Sequence, residues 1–127
     1  MKTLIKVTLS ALLIVGGISS QAFAMDEKAL IQLAKQTEFR SCSGRSLEQI
    51  INRSVNKAKW SAVNDKSGGK SVTIQGNFKQ SGSLMGMQFA INEDDSLRLR
   101  IMLVNGLVKS QDDSLVYFTR MCKGQSL

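Results

Sequence analysis

The chain has no histidine and no proline, only two cysteines, and few rings: one tryptophan, one tyrosine and five phenylalanines among 127 residues. Most of these shortages close a route to function. Serine and cysteine nucleophiles of acyl transfer are activated by an adjacent base, most often histidine, and that base is missing. Two cysteines without histidine cannot furnish the four ligands of a structural zinc site. Cys42 and Cys122 lie far apart and make no C-x-x-C pair, which removes a thioredoxin-like redox centre. Aromatic residues are too sparse to interleave with basic ones in the pattern that stacks nucleic-acid bases, and no nucleic-acid partner is expected. No internal repeat and no low-complexity stretch breaks up the chain.

One long apolar run is present, and it sits at the start. Lys2 and Lys6 precede VTLSALLIVGGI, and Ala22-Phe23-Ala24 follows with the small residues of a cleavage site. An apolar core of this length suits a signal peptide, whereas a membrane-spanning helix needs roughly 20 apolar residues. Residues 1–24 are therefore expected to be a cleaved signal peptide and 25–127 a single domain with no transmembrane span, located in the periplasm or secreted. No cysteine stands at the cleavage point to take a lipid. Losing Lys2 and Lys6 lowers the formal net charge of +7 by two and leaves the domain basic.

In an oxidising compartment Cys42 and Cys122 are expected to form a disulfide, and with two cysteines only one pairing exists. Such a bridge encloses nearly the whole domain. A thiol just before a helix also feels the macrodipole and can become reactive. With no histidine to serve as base, the structural role is the better reading.

Period and turn chemistry give the outline. Asp26–Phe39 carries Leu30, Ile31, Leu33 and Ala34 at helical spacing behind an acidic first turn. Ser46 and Gln49 form the S-x-x-Q signature of a capping box, followed by Leu47, Ile50, Ile51 and Val55. From Trp60 the period changes to two. Asp65–Gly69 reads as a turn, and Val72, Ile74 and Phe78 then share one strand face with Gly76, where a glycine marks a bulge or a close approach. Met85, Met87, Phe89 and Ile91 form the next inward set. Leu97, Leu99, Ile101 and Leu103 are expected inward on the strand after that, opposed by Arg98, Arg100, Met102 and Val104. Asn105-Gly106 is a hairpin turn, and LVKS a fifth strand or a lead-in. The last segment, with Asp112 and Asp113 as caps, fits a helix or a strand. The expected fold is α+β: two N-terminal helices packed on one face of an antiparallel meander of about four strands, and a short C-terminal helix or strand.

Gly44-x-Ser46-Leu47 opening a helix, Lys59-Trp60, Val72-x-Ile74-x-Gly76 and an alternating strand ending near Asn105-Gly106 together resemble small exported bacterial helix-then-meander domains. The plan is similar to the small accessory lipoproteins of the outer-membrane β-barrel assembly machine and to the repeats of β-lactamase inhibitor proteins. This chain departs from those lipoproteins in lacking a lipidated cysteine. The resemblance implies a class, binding or accessory proteins of the envelope, and carries over no functional residue.

The candidate sites are few. Glu93, Asp94, Asp95, Asp112 and Asp113 fall at turns or caps, where a carboxylate is solvated and poorly placed for acid–base work. Asn92–Asp95 lacks the spaced ligands and glycine of a calcium loop. Arg98 and Arg100 alternate on one strand face, about 7 Å apart along it. Lys70, Lys79 and Lys109 are expected to join them where neighbouring strands align. Such a patch suits a protein partner in the cell envelope, or an anionic glycan or lipid surface. The expected function is non-enzymatic, without metal or cofactor: an accessory subunit of a secretion, pilus or outer-membrane system, or an inhibitor or immunity protein. The alternative is a small periplasmic hydrolase or ligand carrier with a pocket between helices and sheet.

Overall fold

Asp26 opens the first helix by accepting a hydrogen bond from the Ala29 amide at 2.8 Å, which satisfies one of the free N–H groups of the first turn. The computed structural model describes residues 26–65 and 69–125. The expected signal segment, 1–24, and the middle of the Asp65–Gly69 turn lie outside the described residues. Helix α1 spans Glu27–Gln36, shorter than the sequence pattern. The Thr37 hydroxyl turns back to the Leu33 carbonyl, and Glu38–Phe39 instead forms β1, paired antiparallel with β2, Arg45–Ser46, around a 3-10 turn at Arg40–Cys42.

Helix α2, Leu47–Ser54, begins with the capping box: Ser46 accepts from the Gln49 amide at 3.2 Å and Gln49 accepts from the Ser46 amide at 3.0 Å. It ends one residue before Val55, which starts β3, Val55–Asp65. Then follow β4 (Gly69–Phe78), β5 (Leu84–Ile91), β6 (Leu97–Val104) and a two-residue β7 (Leu107–Val108). They form one antiparallel sheet in the order β3-β4-β5-β6-β7, so the meander has five strands. Asn105 and Gly106 join β6 to β7 with φ of 52° and 81°, the doubly positive geometry that an Asn-Gly hairpin favours.

The C-terminal segment is a helix, α3, Gln111–Lys123. Its cap is Ser110, which accepts from the Asp113 amide at 3.1 Å, and not Asp112 or Asp113, which occupy the first turn and complement the dipole there. Gly124, with φ of 70°, closes the other end. The helical layer therefore differs from the expected pair, because α3 joins it from the far end of the chain. None of the described helices is long and apolar enough to cross a membrane.

Helices α1, α2 and α3 all contribute to one core against one face of the sheet. Leu30 and Ala34 of α1, Ile50 and Ile51 of α2, and Phe118 and Met121 of α3 meet Val72, Ile74, Met87, Phe89 and Met102. Phe39, Phe89 and Phe118 form a ring cluster with centroids 5.2 to 6.3 Å apart. Trp60 lies half-buried on the same side, with the Lys35 ammonium 5.3 Å from its ring centre, and Lys35 also pairs with Glu48 at 3.6 Å. Cys42 and Cys122, both buried, are bonded with their Cα atoms 5.1 Å apart, tying the 3-10 turn to the last turn of α3. Arg53 of α2 donates to the Met121 and Cys122 carbonyls in the last turn of α3, where Met121 also accepts from the Gly124 amide.

Two bulges shape the sheet. Between Asn56 and Lys59 the β3 register slips against β4, and Lys57 takes a left-handed φ of 55°. The second bulge corrects the expected facing of β6. Gln88 pairs with Ile101 but Phe89 pairs with Leu99, which leaves Arg100 without a cross-strand partner. Beyond that extra residue the alternation is inverted: Met102 and Val104 are buried, while Ile101 and Leu103 turn outward.

Candidate functional site

Among the described residues the sheet is covered on one side only. Its other face is laid out by the strand register in three rows across the meander. Val63, Ser71, Ala90 and Arg98 stand side by side; next come Ser61, Thr73, Gln88 and Ile101; then Lys59, Gln75, Gly86, Leu103 and Val108. None of these positions holds a carboxylate or an aromatic ring. The middle of the face is small or amide-bearing, with the Gln88 amide 3.5 Å from the Thr73 hydroxyl.

Arg98 and Arg100 are both exposed at one end of this face, and neither has a salt-bridge partner among the described residues. With Lys70 they line a depression of about 520 Å³ whose remaining walls include Val63, Ser71 and Ala90. No described carboxylate lines it. Lys79 is placed elsewhere. It follows the far end of β4, where its amide donates to the Ser54 carbonyl and it shares the lining of a small hollow with Arg53, Gln80 and Gly124. Lys109 is also separate, with its ammonium 5.8 Å from the Tyr117 ring of α3. The structure thus brings Lys70 to Arg98 and Arg100, and leaves Lys79 and Lys109 apart.

The face also carries residues that the sequence reading did not select. Lys59 continues the outward series Lys59, Ser61, Val63, and that alternation was available as a signal. The apolar half was hidden by the β6 bulge: Ile101 and Leu103 turn outward beside Leu84 and Val108, which are 61% and 64% exposed. Gly86 lies against this group, where an added Cβ would meet Leu103 at 3.3 Å. The uncovered face is therefore basic at one end and apolar at the other.

The acidic turn between β5 and β6 is bonded within itself. Asp94 accepts from the Ser96 hydroxyl and, at 3.1 Å, from the Ser96 amide, and these bonds hold its carboxyl below the ordinary value of 3.8. Asn92 donates to the same hydroxyl at 2.9 Å. Among the described residues no carboxylate is buried, and the only buried polar side chains are Ser54 and Ser114. Between helices and sheet the space is occupied by side chains of the core, with Leu30, Ile50, Ile51, Val72, Ile74 and Met102 fully buried.

No family model, curated protein or solved structure matches this chain, and the likeness of plan noted from the sequence carries nothing further.

Proposed function

We propose that the chain is a small exported envelope protein that acts without catalysis, binding another macromolecule through the uncovered face of its sheet. The roles that fit are an accessory subunit of a secretion, pilus or outer-membrane system, or an inhibitor or immunity protein. The observation that carries this reading is the asymmetry of the sheet among the described residues: one face is buried under α1, α2 and α3, and the other is open, basic at one end, apolar at the other, with no carboxylate in its three rows. An open sheet face with exposed apolar residues is a characteristic place for another surface to dock. The bonded Cys42–Cys122 pair supports an oxidising location, because disulfides persist outside the reducing cytoplasm. A hydrolase or ligand carrier working between helices and sheet has less support, since that space is filled by apolar side chains.

Charge reversal tests the face. The Arg98→Glu, Arg100→Glu double variant is expected to lose affinity capture of its partner from envelope extract while melting at the wild-type temperature, because both side chains are exposed and have no salt bridge among the described residues. Capture that survives the double change would remove this face from consideration.

A further inference from the structure

Resting on the sheet-face reading, we infer that the depression beside Arg98 and Arg100 receives the carboxylates of an acidic amphipathic segment of a protein partner. The apolar side chains of that segment then lie along Ile101, Leu103 and Val108. Charge complementarity selects the occupant. Lys70, Arg98 and Arg100 line one concavity without a described carboxylate among them. Guanidinium groups offer paired N–H donors in a planar fork that matches carboxylate oxygens. The β6 bulge ties the two halves of the site together, because its extra residue is Arg100 itself and the shift it introduces turns Ile101 and Leu103 onto the outer face. One backbone irregularity thus places cations and an apolar strip side by side on a single strand.

The shape separates this partner from others. A bilayer presents a broad surface and engages cations that protrude around an apolar projection, whereas here the basic end is hollow and floored by Ser71 and Ala90. A peptide segment can enter such a hollow. Nucleic acid lacks a stacking platform, since no ring stands on the outer rows.

The test is a titration of the isotope-labelled protein, followed through its backbone amide resonances. The probes are a synthetic peptide with glutamates at one end and leucine and isoleucine at the other, the same peptide with glutamine for glutamate, inorganic phosphate, and vesicles of an anionic phospholipid. The acidic peptide is expected to shift Ser71, Ala90, Arg98 and Arg100 saturably, and to bind about tenfold or more tightly than its glutamine counterpart. The affinity is expected to fall by a similar factor in Arg98→Ala, Arg100→Ala and to weaken with salt. Trp60 lies on the inner side of the sheet, so its unchanged fluorescence verifies that the variant remains folded. Equal binding of both peptides, matching shifts from phosphate alone, or binding of vesicles but not peptide would each overturn the inference. If the acidic peptide fails yet the charge-reversed variant still loses its captured partner, the sheet-face reading stands and the acidic segment falls. If that variant keeps its partner, both fall.

Discussion

Reduction of the Cys42–Cys122 bond is expected to lower the melting temperature by roughly 15–35 °C, the largest single effect of any change considered for this domain. The bond spans a sequence separation of 80. In the chain-entropy description, a loop of that size removes about 4 to 4.5 kcal/mol of freedom from the unfolded chain. Against a total stability of about 5–15 kcal/mol, that is a large share. The folded state has other holds on the same region. Phe118 and Met121 of α3 are buried, each contributing about 1.5–3 kcal/mol, and Arg53 binds the carbonyls at the end of the helix. The reduced protein is therefore expected to remain folded at low temperature and to melt early. Circular dichroism with and without reductant measures the difference, and a coincident melt would show that the bridge does not stabilise the fold.

Gly76→Ala is expected to cost about 1–3 kcal/mol, whereas Gly86→Ala in the same sheet should change stability little. The contrast comes from what an added Cβ would meet. At Gly76 it would lie 2.5 Å from the Val55 side chain and 2.8 Å from the Asn56 carbonyl oxygen, a backbone atom held by the β3 bulge. At Gly86 the nearest atom is the end of the Leu103 side chain at 3.3 Å, on the open face where it can move. Denaturant titration of the two variants gives both numbers. Equal stability at the two positions would mean that the bulge relaxes freely and that Gly76 is not needed for its close approach.

Much of the architecture was legible because local chemistry and burial agree. The Ser46–Gln49 box, the Asn105-Gly106 turn and the alternations of β4 and β5 each point to the element that forms. Strand β3 was harder. Val55 sits at helical spacing from Ile51, so the pattern carries the helix past Ser54, and the bulge at Lys57 then delays the alternation until Trp60. In β6 the sequence is apolar at both parities from Ile101 to Val104, so period alone cannot decide which set turns inward. The bulge at Arg100 decides it, and packing of Met102 against the helices rewards that choice.

The candidate site was legible in part for the same reason. Arg98 precedes the irregularity and Arg100 is its extra residue, and the alternation that runs up to it places both on the outer side. Lys70 has the parity of Val72 and Ile74 and pairs with Ile91, and it borders the depression from the end of β4, next to Ser71 in the row of Ala90 and Arg98. Lys79 and Lys109 are basic in sequence but leave the sheet at its other end and toward α3. The apolar strip depends on a backbone slip that no residue type announces.

Site-directed photocrosslinking in intact cells shows which side of the molecule meets a partner. A photoreactive residue in place of Thr73, at the centre of the open face, is compared with one in place of Gln32, which lies on the exposed side of α1 in a shallow hollow with Leu33 and Gln36. The account predicts a discrete protein adduct from position 73 and none from position 32. An adduct formed from position 32 alone would contradict it and move recognition to the helical side of the molecule.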